Sequence, residues 1–170
     1  MKKTIFATLV LVVSAFATAT AGGKGDSDLS SSKLITVNPT FSKLVVDGNV
    51  DVVLFEDNIT NEIRTFGNTS DMAATSITEK DGVLTIKNKK NNGQKVLVYV
   101  PVKKLSVIEA SGDSKVSSAT PLQSSTILLI AKGDCKFNIR SVGAIEVEKD
   151  GDVELSVEEN SIPYMVTTRS

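Results

Sequence analysis

Aspartates that follow glycines are the residues whose spacing most resembles a binding site. Asp113, Asp134 and Asp152 each come directly after a glycine. If these turns lay side by side, their carboxylates could bind a hard cation such as calcium. Aspartate beside glycine is also ordinary turn chemistry, and calcium usually takes about six or more ligands from a compact loop. We therefore interpret these aspartates as turn residues and expect no metal and no cofactor.

A group of lysines around a polar loop is the second candidate. Its members are Lys87, Lys89, Lys90, Lys95, Lys103 and Lys104. Such a basic cluster could bind an anionic glycan or a lipid phosphate, or it could be a solvated edge that discourages aggregation. We predict a surface-binding site at these lysines and keep the second interpretation open.

Catalytic residue types are scarce along the whole chain. Histidine and tryptophan are absent, so the usual acid–base group at neutral pH and the best ring for stacking on sugars are missing. The other aromatic residues are few, and we expect Phe55, Phe66 and Tyr164 at the surface, which weakens any specific sugar-stacking platform. Glycosidic cleavage needs two carboxylates across the scissile bond, whereas the acids of this chain are spread evenly along the sequence. We therefore predict that the protein is not an enzyme, with a polysaccharide-active enzyme as the less favoured alternative.

The N-terminus has the composition of an export signal. Lys2 and Lys3 precede an apolar run from Ile5 to Phe16, and Ala19 to Ala21 supply small residues for cleavage. We expect a signal peptide over 1–21, a flexible leader over 22–32 and a single domain over 33–170. The protein would then be periplasmic, on the outer surface or extracellular. Its net charge of −1 gives no attraction for nucleic acid.

Four segments repeat one pattern, an apolar strand, a glycine turn and an alternating strand. They are Leu44–Leu54, Val107–Ser118, Leu128–Ile139 and Val147–Val157. A unit of about 20 residues is typical of a solenoid. Four places after each glycine stand Val52, Val116, Phe137 and Leu155, which we expect to share one interior row. The pattern predicts an all-β parallel β-helix (β-solenoid), and an antiparallel β-sandwich is the alternative.

Three further features of the sequence give structural expectations. Gly67 and Gly82 could mark additional corners of the solenoid, and Asp71–Ile77 has the spacing for no more than one helical turn. The single cysteine, Cys135, lies in an alternating strand and is expected to be a buried apolar filler.

Four stretches of the sequence together resemble a known family. Asn38–Asp57, Glu79–Asn88, Val96–Pro101 and Leu105–Val116 resemble the auto-transporter adhesin, head GIN domain family, which is frequent in exported proteins of Bacteroidetes. The resemblance implies a right-handed parallel β-helix and a location in the cell envelope or outside the cell. It brings no catalytic residues. Lys149 departs from the pattern, because an apolar residue is expected there.

The resemblance and the composition together give the expected function. We expect an exported, adhesin-like domain that binds an extended ligand, either a cell-surface glycan or an envelope protein. The alternative is a structural or assembly module of the envelope. After signal cleavage we expect no membrane span, and an uncapped end of the solenoid would favour a weak homodimer.

Overall fold

The computed structural model describes residues 31–38, 40–57, 59–90, 94–150 and 154–156. The predicted signal peptide and residues 22–30 of the predicted leader lie outside this part. The first strand begins at Ser31, inside the stretch expected to be a leader.

Within the described residues the chain forms strands and one short helix. In chain order they are β1 (Ser31–Thr36), β2 (Lys43–Gly48), β3 (Val50–Glu56), β4 (Glu62–Gly67), α1 (Thr69–Ala73), β5 (Thr75–Lys80), β6 (Val83–Asn88), β7 (Val96–Val102), β8 (Val107–Ser111), β9 (Lys115–Ser118), β10 (Thr126–Lys132), β11 (Lys136–Asn138), β12 (Ala144–Asp150) and β13 (Glu154–Ser156).

The strands form two mixed sheets. The seven-stranded sheet has the order β1-β4-β7-β3-β9-β11-β13, and the six-stranded sheet has the order β12-β10-β8-β2-β6-β5. Most neighbours are parallel, but β1 with β4, β4 with β7, and β5 with β6 are antiparallel. Buried residues from both sheets belong to one hydrophobic core, so the sheets face each other across it.

The predicted parallel β-helix is therefore wrong. Such a fold stacks its coils in chain order, whereas here β6 and β7 flank β2 and β3 on one side while β8 and β9 flank them on the other. The segment from β4 to β7 also contributes antiparallel strands. The alternative, an antiparallel sandwich, does not describe the molecule either, because parallel pairs fill the centre of both sheets.

The register expected for the glycine-marked segments is confirmed. Val52 pairs with Val116, Val116 with Phe137, and Phe137 with Leu155, all in parallel. Val52, Val116 and Phe137 are at most 2% exposed. Alternation along each strand puts one set of side chains inward and its neighbours outward. This alternation decides which residues reach the outer face of the seven-stranded sheet.

Gly82 makes a hairpin turn rather than a solenoid corner. Asp81 and Gly82 have φ angles of 52° and 75°, and Lys80 pairs with Val83 across the turn. Positive φ at both central residues is the geometry of a tight hairpin, which Asp-Gly favours. The single helical turn is present, but α1 begins earlier than expected, because the Asn68 side chain caps it by accepting a hydrogen bond from the Asp71 N–H at 2.8 Å.

Candidate functional site

The most distinctive surface feature is an aromatic groove on the outer face of the seven-stranded sheet, across β3, β4 and β7. Its volume is about 510 Å³, within the range of ligand sites, and its lining residues are Phe55, Thr60, Arg64, Phe66, Tyr99 and Ala119. We call it the aromatic groove. The strand residues point outward because each alternates with a buried neighbour: Leu54, Thr65 and Val98 are at most 4% exposed.

Strand pairing brings the groove residues together. Arg64 on β4 lies opposite Tyr99 on β7, and Phe55 on β3 lies opposite Pro101 on β7. The Phe66 and Tyr99 rings are edge to face, with centroids 5.7 Å apart and an interplanar angle of 85°. This arrangement is favourable for aromatic rings and holds both side chains in place. The groove therefore has a fixed apolar wall.

Arg64 is the charged side chain that lines the groove. It is exposed and makes no ion pair with another described residue. Glu62 lies on the same face of β4, two residues away, but does not pair with it. The guanidinium is therefore available to an anionic group.

Two carboxylates at the C-terminal end of β3, Glu56 and Asp57, are hydrogen-bonded within the protein. Glu56 Oε1 accepts a hydrogen bond from the Gln123 N–H at 2.8 Å. Asp57 accepts one from the Ile59 N–H at 2.7 Å. The pKa of Asp57 is lowered by a hydrogen bond from the Thr60 side chain, then by the Ile59 N–H, with a smaller effect from Lys103. These acids therefore have partners other than the guanidinium of Arg64.

Apolar surface continues outside the groove. Ile59, in the loop after β3, is 91% exposed, and Leu34 on β1 is 58% exposed. Leu34 lies opposite Arg64 in the sheet, so the row Leu34, Arg64, Tyr99 and Val53 runs across four neighbouring strands. This row gives an extended ligand more to contact than the groove alone.

Four of the six predicted lysines lie near the Gly48 turn, and three of those have acidic partners. Lys87 pairs with Asp47 at 3.6 Å and Lys90 with Asp71 at 3.0 Å. Lys95 pairs with Asp51 at 3.5 Å and with Asp113 at 2.9 Å. Lys89 directly follows β6 at the same end.

Lys103 and Lys104 lie at the opposite end of the sheet. They follow β7, whose length separates them from Lys95 by about 25 Å at ~3.3 Å per residue. The six lysines thus do not form one surface. This second pair is at the end of β7 where Pro101 faces Phe55, next to the aromatic groove. Ligand binding by the lysines stays a prediction.

The remaining candidates are the aspartates that follow glycines and the single cysteine. Asp113 and Asp134 are exposed, and Asp152 lies outside the described residues. Among the described residues no group of three or more histidines, cysteines or acids could hold a metal ion. Cys135 is 1% exposed, as predicted, and burial raises the pKa of its thiol.

Sequence reasoning found part of the groove and missed the rest. Phe55 and Phe66 were expected at the surface and both are partly exposed, whereas Tyr164, also expected there, lies outside the described residues. Tyr99 and Arg64 were not expected. The alternation of VLVYVPV was a signal for Tyr99, because it places Leu97 and Tyr99 on one face and the valines on the other.

Comparison with known proteins gives the family. The family model described as "putative auto-transporter adhesin, head GIN domain" matches residues 40–164. This is the family that the sequence resemblance indicated. This chain belongs to that family. No curated protein matches the head GIN chain. None of its described helices is long and apolar enough to cross a membrane.

Two solved structures from Parabacteroides distasonis share the fold of this head GIN chain. One is a protein called a putative adhesin, with a TM-score of 0.57, 19% identity and 76% of this chain covered. The other is called a putative lipid binding protein, with a TM-score of 0.55, 12% identity and 76% of this chain covered. The match spans 65% and 60% of those two chains, respectively. At these identities the likeness concerns the fold alone.

Proposed function

We propose that this chain is an exported, non-enzymatic, adhesin-like domain of the cell envelope or surface, and that it binds an extended ligand, a glycan or a protein. The family supports the adhesin-like class. The observation that carries the proposal is the aromatic groove, in which Phe55, Phe66 and Tyr99 stay partly exposed on a sheet face. Exposed clustered aromatic residues are typical of recognition surfaces.

The architecture suits recognition without catalysis. The groove lies on strands held on both sides by neighbours, which makes it a rigid platform. None of the described residues that line it is acidic, so they do not supply the pair of carboxylates that glycoside hydrolysis requires. Binding therefore accounts for the groove better than a polysaccharide-active enzyme does.

The alternative is a structural or assembly module. Exposed apolar residues outside the groove, such as Val142 at 41%, would then contact other envelope components or a second copy. The two functions differ in whether the isolated protein binds anything other than itself.

A glycan array and a panel of envelope proteins, probed with the purified protein, test the proposal. We expect wild-type protein to bind a ligand, and Phe66→Asp to abolish that binding because a carboxylate replaces a ring of the groove wall. Thr78→Asp adds the same charge to an exposed position on β5 of the other sheet and is the matched control. Phe66→Ser is a milder variant, and thermal unfolding would show that each variant is folded.

Two results would count against the proposal. Self-association alone would favour the assembly module. Ligand binding that survives Phe66→Asp in a folded protein would place the binding surface elsewhere.

A further inference from the structure

Three observations restrict what the aromatic groove can bind. Among the described residues that line the groove, Arg64 is the single positive group, and it lies beside aromatic rings. No acid of the described chain pairs with this guanidinium. The strands that form the floor are interior strands. Together they restrict the charge of the ligand and the kind of contact that can bind it.

Where Arg64–Phe66 of β4 pairs with Leu97–Tyr99 of β7, the sheet leaves no backbone groups for a peptide. β4 lies between β1 and β7, and β7 lies between β4 and β3, so both have hydrogen-bonded neighbours on either side. A peptide that binds by strand addition needs a sheet edge. A peptide lying flat on the rings would leave its own N–H and C=O groups without partners. Where β4 pairs with β7, recognition therefore relies on side chains.

Ring stacking with a charge contact is the chemistry that remains. Tyr99 and Phe66 offer apolar ring surface together with the Tyr99 hydroxyl, and Arg64 lies directly opposite Tyr99 in the sheet. A sugar ring has an apolar face that packs on such rings. A carboxylate on that sugar would accept two parallel hydrogen bonds from the guanidinium. Lys103 and Lys104, at the Phe55 end of the sheet, would favour further negative charges along the ligand.

From this geometry we infer that the aromatic groove binds an acidic glycan, a chain containing uronic acids, with one carboxylate on Arg64 and its sugar ring on Tyr99. This inference rests on the proposed function and names the ligand class for the same groove.

Tyrosine fluorescence provides a direct readout, because the chain has no tryptophan and two tyrosines, Tyr99 and Tyr164. In a Tyr164→Phe background Tyr99 is the single emitter. The probes are tetrasaccharides of galacturonate, glucuronate and mannuronate, the methyl ester of each, and a hexaglutamate peptide with blocked ends. We expect at least one acidic tetrasaccharide to change the emission saturably, and its methyl ester to bind about ten-fold more weakly or worse.

Arg64→Gln in the same background should weaken binding of the acidic tetrasaccharide about ten-fold or more, since a charge-assisted bidentate contact is lost. The matched control is Lys80→Gln, which removes one positive charge from the exposed surface of β5. It should change the dissociation constant by less than about two-fold, because charges beyond a Debye length of ~10 Å are screened. Arg64→Lys should fall between these variants, because it keeps the charge and loses the planar fork.

The inference is overturned by equal binding of acid and ester, by unchanged binding in folded Arg64→Gln, or by no binding of any acidic tetrasaccharide. Binding of hexaglutamate that is as tight and as dependent on Arg64 would identify an acidic peptide instead. If a neutral glycan binds and Phe66→Asp abolishes that binding, the proposed function stands and this inference fails. If Phe66→Asp leaves binding of every ligand unchanged, the binding surface lies outside the groove and this inference fails. If the protein binds nothing but itself, the proposed function fails as well.

Discussion

Gly48 shows how a single residue permits the turn between the two sheets. It has a φ of +93°, and a Cβ at this position would overlap the backbone carbonyl oxygen of Asn88 on the neighbouring strand. Both the positive φ and the close approach require glycine. Gly82 also has a positive φ, +75°, but a Cβ there would meet nothing within 4 Å.

These two glycines give a paired prediction. Gly82→Ala should lower the free energy of unfolding by about 1 kcal/mol, the cost of a left-handed backbone for an L residue. Gly48→Ala should cost about 2 kcal/mol or more, because overlap with a backbone atom adds to that strain. Urea unfolding of both variants measures the difference. Equal losses would show that the strand of Asn88 moves aside freely.

Glu109 links three strands on the outer face of the six-stranded sheet. Its carboxylate contacts Lys43 Nζ at 2.7 Å and Lys132 Nζ at 2.6 Å. The hydrogen bond from Lys132, followed by that from Lys43, lowers the pKa of Glu109. Since the folded pKa is below the unfolded value, this carboxylate stabilises the fold above about pH 4.5, and the contribution is lost as pH falls through the folded pKa.

Glu109→Gln should therefore lower the free energy of unfolding at pH 7 by about 1 kcal/mol, on the scale of a partly screened ion pair. As pH falls below about 4.5 and through the folded pKa, the difference from wild type should shrink, because the wild-type carboxylate becomes protonated too. Glu146→Gln, at an exposed position of the same sheet, is the matched control. Urea unfolding at several pH values measures both variants, and a difference independent of pH would contradict the assignment.

At the residue scale, the sequence identified two exposed aromatic residues of the groove but not Arg64 and Tyr99, which lie beside them in the sheet. Phe66 was recognisable because polar residues and a glycine surround it, and Phe55 because two acids, Glu56 and Asp57, follow it directly. Arg64 and Tyr99 acquire their meaning only when β4 pairs with β7, a contact between distant segments. Nothing local in either segment specifies that pairing.

At the scale of the element, alternation along β10 gives the sharpest prediction. Leu129 is fully buried, whereas its neighbour Leu128 faces outward and is half-buried. Leu129→Ala should lower the free energy of unfolding by about 2 to 5 kcal/mol, since it leaves a cavity in the core. Leu128→Ala should cost about 1 kcal/mol or less, because solvent fills the space. Chemical denaturation compares them, and a reversed order would mean that the faces of β10 are misassigned.

The elements after each glycine were predictable because apolar and polar residues largely alternate there, with Ser114, Ser118 and Val53 as exceptions. Val52, Val116 and Phe137 occupy the expected row for that reason. The β5–β6 hairpin was missed, although Asp81-Gly82 between two strands is a strong hairpin signal. The search for a repeating glycine corner gave Gly82 the wrong role.

At the scale of the whole molecule, β12 is an edge strand of the six-stranded sheet among the described strands, and an interior row of side chains ends on it. Val46, Ala110, Ala131 and Lys149 are successive partners across the six-stranded sheet, and the first three are fully buried. Lys149 is exposed, and among the described strands β12 has one neighbour, β10. A lysine on an edge strand discourages pairing with another chain.

Lys149→Val should therefore increase self-association, because it extends the apolar row to the open edge. Light scattering over a range of concentrations should give a larger average mass than for wild type. Glu146→Val adds the same side chain to the outward face of β12 and should have a smaller effect. An unchanged mass for Lys149→Val would contradict a protective role for this lysine.

The order of strands was the part of the fold that the sequence could not supply. Four similar segments suggested coils stacked in chain order, and their mutual register is as expected. However, parallel pairing alone does not say on which side of β2 and β3 the intervening segment packs. It adds β6 and β7 on the far side and closes with antiparallel strands, so the sheets are mixed.

The central claim, that the aromatic groove is the binding surface, is tested most directly by NMR of protein with labelled phenylalanine and tyrosine rings. The experiment titrates in the ligand that the glycan array identifies. The account predicts shifts for Phe55, Phe66 and Tyr99 and none for Phe41 and Phe137, which are at most 2% exposed. Saturable binding that leaves the three groove rings unshifted would contradict it.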